Sequence, residues 1–180
     1  MKKTSVDNEI EKWIYVPDYY CEHREVLGIV GSNSLIVIGV NPSTAEPNNL
    51  DPTLKSVERI AKANGFDSFI MFNLYPQRAT NPDDMDVICN EDFLKMNVAA
   101  FEKCIKGISN PVIWCAWGNL IEKRDYLREC MKKLVEVGNR FGVIWMCAGP
   151  ISKKGHPHHP LYLKSEEKLH PFFMDFYIKE

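Results

Sequence analysis

Leu35-Ile36-Val37-Ile38-Gly39-Val40 is a short apolar run that stops abruptly at Asn41-Pro42-Ser43-Thr44-Ala45. A run apolar at every position suits a strand buried on both faces, as in a parallel sheet covered by helices. Three later runs behave the same way: Phe69–Leu74, Val112–Trp117 and Val143–Ala148. Parallel strands need long crossovers, so this pattern commits the chain to alternating strands and helices.

The intervening segments carry helical stripes. Leu54, Val57, Ile60 and Ala61 form the first, with Asp51-Pro52-Thr53 as N-cap and first turn and Asn64-Gly65 as the stop. Leu94, Phe101, Cys104, Ile105 and Ile108 form the second. Leu120, Leu127, Cys130, Met131 and Leu134 form the third, ended by Gly138. Ser165-Glu166-Glu167 reads as the start of a short last helix that breaks before Pro171. The expected fold is a three-layer α/β/α sandwich around a central four-stranded parallel sheet. Residues 1–180 read as a single domain, with 1–34 as an N-terminal extension of helix, loop and short edge strand packed on the core.

The chain is 45% hydrophobic over 180 residues, enough for a real core, and its formal charge of -2 speaks against a dedicated binder of duplex nucleic acid. No stretch approaches the roughly 20 apolar residues of a membrane helix, and no apolar segment follows the N-terminal lysines as in a secretory signal. A cytoplasmic location without a membrane partner is expected. None of the six cysteines forms a CxxC pair, which favours reduced, buried thiols over disulfides or a metal cluster. No cofactor is implied, and oligomeric state is not legible.

In a parallel sheet the carboxyl ends of the strands share one edge, where ligands bind. The first strand delivers Asn41, Pro42, Ser43 and Thr44. The second delivers Asn73, Tyr75 and Arg78, the third Trp117 and Gly118, and the last leads to His156, His158 and His159. Each has a plainer reading. Asn41-Pro42 and its hydroxyls suit a turn, Asp51 an N-cap more readily than an acid, and Asn73 a loop tie. Arg78 suits a phosphate or the surface. Asn97 falls on the apolar stripe of the second helix, where it either bonds backbone or shapes the site. Trp117 packs or stacks. The histidines, spaced by prolines, point apart rather than at one metal, and His159 is the one expected to face the site.

These motifs together resemble domain-of-unknown-function family 1643: Asn41-Pro42-Ser43-Thr44-Ala45, Asp51-Pro52-Thr53, Asn73-Leu74, Arg78-Ala79-Thr80, Asn97, Ala116-Trp117-Gly118 and Gly155-His156-Pro157 through His159-Pro160-Leu161-Tyr162-Leu163. Arg24 also fits its N-terminal pattern. More remotely, Gly39-Val40-Asn41-Pro42, Asn73, Gly118 and His159-Pro160-Leu161 are similar to the uracil-DNA glycosylase superfamily, an α/β/α sandwich. That second resemblance implies N-glycosidic hydrolysis. Asn41 would orient water, Asn73 would bond the base edge, His159 would donate to the leaving base, and Tyr75 or Trp117 would stack on it. Nucleobases, nucleotides or single-stranded nucleic acid would be the partners. Asn41 stands where the strongest glycosylases carry an acid. The alternatives are a non-catalytic module holding nucleic acid or protein at the same edge, and a metal-dependent hydrolase at His156, His158 and His159.

Overall fold

The computed structural model describes residues 13–179. Its centre is a seven-stranded mixed sheet in the order β1-β2-β4-β3-β5-β6-β7. The strands are β1 (Trp13–Val16), β2 (Val26–Ile29), β3 (Ser34–Gly39), β4 (Ser68–Asn73), β5 (Val112–Cys115), β6 (Ile144–Ala148) and β7 (Leu169–Pro171). The helices are α1 (Pro52–Ala63), α2 (Glu91–Ile105), α3 (Tyr126–Arg140) and the single turn α4 (Met174–Tyr177).

The sheet corrects the expected architecture. The strands β4, β3, β5 and β6 run parallel. Antiparallel strands extend that block on both sides: β2 and then β1 beyond β4, and β7 beyond β6. A four-stranded parallel sandwich is therefore not the fold. The added strands are short, β2 buried and β1 and β7 more exposed, and their places are fixed by backbone pairing, β2 on β4, β1 on β2 and β7 on β6, rather than by a periodic apolar signal. In the region expected to hold a helix, a loop and a short edge strand, residues 13–34 contribute the paired strands β1 and β2, and the rest of that region, residues 1–12, lies outside the described part. The helix expected at Ser165 is also absent. Glu167 N–H closes a turn on the Lys164 carbonyl, and the chain then enters β7.

Alternation along β3 divides the core. Ile36 and Ile38 face the cluster built with Phe101 and Ile105 of α2 and Leu127, Met131 and Leu134 of α3. Leu35 and Val37 face the cluster built with Leu54, Val57 and Ile60 of α1. The sequence places α1 sharply. Asp51 is the N-cap, its carboxylate accepting the Leu54 N–H at 2.9 Å, with Pro52 next in the first turn. Such a cap contributes about 1 kcal/mol.

Strand order positions the site. After β3 the chain crosses through α1 to β4 on one side, then returns through α2 to β5 on the other. Neighbouring strands whose connections leave in opposite directions open a crevice at their carboxyl ends. Here that crevice lies between the ends of β3 and β5.

Candidate functional site

A cleft of about 690 Å³ occupies this crevice. Its walls are the turn after β3, the start of α1, the loop around Thr80, the 3-10 helix Gly118–Lys123 and the histidine-bearing loop before Tyr162. Apolar surface from Pro52, Pro82, Leu120 and Leu161 makes up much of it, and its polar groups are mainly neutral: Asn41, Ser43, Thr44, Thr53, Thr80, Asn119 and Ser152. Asp51 is its carboxylate, and among the described residues no lysine or arginine lines it.

Several expected ligand-binding groups are instead spent on building the wall. Asn41 Nδ2 donates to the Ala79 carbonyl at 2.8 Å and the Pro42 carbonyl at 3.0 Å, which leaves Oδ1 for the cavity. Ser43 Oγ bonds Thr80 Oγ1 at 2.9 Å. Arg78 donates to the Ser43 and Ala45 carbonyls and to the Tyr15 hydroxyl, and its guanidinium stacks over the Tyr20 ring. It frames the turn and does not line the cleft.

His159 is held more distinctly. Its Nδ1 accepts the Leu161 N–H at 3.2 Å. Gly118, at φ +60°, sits so close that an added Cβ would lie 3.1 Å from the His159 Cβ. Burial, with His158 nearby, pulls the His159 imidazolium down to about pKa 4 against a partial opposing pull from Asp51. The ring is therefore neutral at pH 7. With Nδ1 accepting, its proton sits on Nε2.

Beneath the cleft lies an inner pocket of about 60 Å³, which Asn41, Asp51 and His159 also line. Pro42, Gly39, Asn73 and Arg24 complete the part that matters chemically. Gly39 is needed for close approach: a Cβ there would meet Met71 Cε at 2.7 Å and Asn73 Oδ1 at 2.9 Å. Asn73 is buried, and its Nδ2 has no partner among the described residues. Arg24 is 1% exposed. Its Nη1 donates to the Ala45 carbonyl at 3.2 Å, while Nε and Nη2 have no partner among the described residues. Burial, reinforced by the Arg78 charge, lowers Arg24 to about pKa 10, still cationic at neutral pH. Arg24 is the main residue that sequence reasoning missed. A lone arginine before an apolar strand looks like an edge residue, and its family pattern was the available signal.

Four expected site residues lie elsewhere. Tyr75 is fully buried, its hydroxyl donating to Asp86 at 3.0 Å and accepting the Asn90 N–H at 2.9 Å. Trp117 is fully buried and donates to the Tyr177 hydroxyl at 3.0 Å. His156 is buried between the Tyr177 hydroxyl, 2.7 Å from Nδ1, and Glu122, 3.1 Å from Nε2. Asn97 donates to the carbonyls of Asn73 at 2.8 Å and Leu74 at 3.3 Å, and so fastens the end of β4.

This geometry corrects the glycosylase reading. Neither Tyr75 nor Trp117 offers a face for a base to stack on, and the sheet differs from the one that reading requires. Among the described residues, no lysine or arginine in the lining of the outer cleft offers a counter-charge to a phosphate backbone. The hydrolase, DNA-repair and nucleotide-binding assignments fall with it. So do the non-catalytic nucleic-acid or protein module and the metal-dependent hydrolase. His156, His158 and His159 use ring nitrogens on four separate partners: Tyr177 and Glu122, the His159 carbonyl, and the Leu161 N–H. Among the described residues no three His, Cys, Asp or Glu side chains converge as metal ligands.

A family described as "Protein of unknown function (DUF1643)" matches residues 24–161. The chain belongs to this family. In this DUF1643 chain the matched segment begins at Arg24 and ends at Leu161, so it contains Arg24 of the inner pocket and all but Tyr162 of the outer-cleft residues. No curated protein and no solved structure matches the chain. No helix of the DUF1643 chain, among its described residues, is long and apolar enough to cross a membrane.

Proposed function

We propose that the protein binds a small, polar organic molecule in the cleft at the ends of β3 and β5. The observation that carries this reading is the shared lining: Asn41, Asp51 and His159 border both the outer cleft and the inner pocket. One ligand can therefore span the two compartments and touch all three. A cleft of this size with a few convergent polar groups is the usual form of a small-molecule site. Asn41 Oδ1 accepts from the ligand and His159 Nε2 donates to it. Asp51 accepts through the oxygen not used in capping α1. Ser43, Thr44, Thr53 and Asn119 hold the ligand's outer part.

A thermal-shift screen of small polar metabolites tests this reading. Ligands of the cleft raise Tm in the wild type and lose that effect in Thr44→Trp, which fills the mouth from an exposed rim position. A screen without hits, or hits that persist in Thr44→Trp, rejects the cleft as the binding site.

A further inference from the structure

We propose that the inner pocket is an oxyanion subsite, in which the Arg24 guanidinium takes a compact carboxylate or phosphate group carried by the ligand of the outer cleft. This deepens the small-molecule reading and rests on it for the rest of the ligand.

A buried cation without a counter-ion is costly, and native structures normally pair it. Arg24 is almost wholly buried, forms no ion pair within 4.0 Å among the described residues, and leaves two nitrogens unused. Its surroundings sharpen the problem. Arg78 donates to the same Ala45 carbonyl that Arg24 uses, each at 3.2 Å, so two guanidiniums converge on one acceptor. Asp51 offsets part of this charge, but its Oδ1 is committed to the Leu54 N–H. Two other neighbours add donors or positive field. Asn73 Nδ2 is buried and unpartnered among the described residues, and the first turn of the 12-residue α1 lines the pocket through Thr53 and Leu54. The positive end of that helix adds to the same field.

Size and access select the class of group. A volume of about 60 Å³ exceeds what one water needs, yet it is far below that of a drug-sized molecule. It suits a single compact group entering from the cleft. A guanidinium with free Nε and Nη2 presents the two-pronged edge that carboxylates and phosphates accept.

The test is thermal unfolding of the full chain at constant ionic strength, with chloride replaced by sodium acetate in one series and sodium phosphate in another. At least one oxyanion raises Tm saturably above the chloride baseline, by about 5–10 °C at a concentration 100-fold above its Kd. The series that responds distinguishes a planar from a tetrahedral group. Arg24→Met abolishes the response and, in chloride, unfolds no earlier than the wild type, because an unpaired buried charge has been removed. Asn73→Asp is the second variant. It places an anion in the pocket covalently, and so raises Tm in chloride and removes the oxyanion response. A wild type indifferent to both anions overturns the subsite. So does a response that survives Arg24→Met, or an Asn73→Asp that loses stability and keeps the response. If the anion response fails while screen hits still depend on Thr44, the subsite is rejected and the cleft reading stands. If the anions act but no compound does, the cleft reading fails and the subsite stands alone.

Discussion

The Leu161 backbone N–H points at His159 Nδ1 across 3.2 Å, and this one bond sets which face of the imidazole meets the cleft. It fixes the acceptor nitrogen inward toward the loop and leaves Nε2–H as the donor. Burial keeps the ring neutral, with the imidazolium lowered to about pKa 4 against an ordinary value of 6.5. The unfolded chain thus binds a proton that the folded chain refuses between those two pH values. Stability is unaffected by this group above about pH 6.5, falls as pH drops through the window, and levels off below about pH 4. Nitrogen-15 correlation spectra show the Nε2–H tautomer at pH 7. In His159→Asn the acid-side slope of stability becomes shallower over the same window. A His159 titration midpoint above pH 6 refutes the assignment.

Asn97 closes the end of β4. Its amide serves the Asn73 and Leu74 carbonyls from a fully buried position. Asn97→Ala strands both acceptors, which costs about 1–3 kcal/mol. Because Asn73 lines the inner pocket, ligand affinity drops as well. Urea denaturation reads the first effect and calorimetric titration of a cleft ligand the second. An alanine variant within 0.5 kcal/mol of wild type would show that water replaces the amide freely.

The parts of this fold that were legible are those governed by local chemistry. Asp51-Pro52 starts α1 and Asn64-Gly65 stops it, since caps act on the nearest backbone groups. The buried strands announced themselves because both of their faces are apolar. Of β1, β2 and β7, only one short edge strand within residues 1–34 was expected: three or four residues carry little pattern, and their pairing partners are supplied by the rest of the sheet. At the cleft, Asn41 and His159 come together because parallel strands deliver their ends to one edge, and Asp51 joins them from the cap of α1. Tyr75, Trp117 and His156 looked equally suitable. Their real partners, Asp86, Tyr177 and Glu122, are joined to them only by tertiary packing. Arg24 was the reverse case: in sequence a charged residue defaults to the surface, and only the fold shows it buried.

Gly39 separates stability from binding. A methyl group there reaches Met71 Cε and Asn73 Oδ1, both ends of flexible side chains rather than backbone. Gly39→Ala therefore folds. Loss of glycine's freedom in the unfolded chain contributes about 0.4–1 kcal/mol of stability and offsets the displacement. The displaced Asn73 side chain narrows the inner pocket. The expected outcome is a Tm within a few degrees of wild type with cleft-ligand affinity reduced at least tenfold. Unchanged affinity would show that Gly39 does not bound the occupied volume.

Tyr177 ties the C-terminal turn α4 to the sheet. Its hydroxyl accepts from Trp117 Nε1 at 3.0 Å and lies 2.7 Å from His156 Nδ1, while His156 Nε2 reaches Glu122 at 3.1 Å. In a neutral ring bonded to Glu122 through Nε2–H, Nδ1 accepts the tyrosine proton, so the chain of donors runs in one direction. Lys154 and His156 together hold the Glu122 carboxyl well below its usual range and keep the last link charged. Tyr177→Phe preserves the ring packing against Phe172 but deprives two buried groups of their partner. It lowers stability by about 1–3 kcal/mol, read by urea denaturation with Trp117 among the fluorescent reporters. Hydrogen exchange of α4 rises at the same time, since the hydroxyl is its polar anchor to the core. Glu122→Gln retains an acceptor for His156 and weakens α4 less than Tyr177→Phe does. Equal losses in the two variants would show that the carboxylate charge, rather than the tyrosine hydroxyl, fastens this end of the chain.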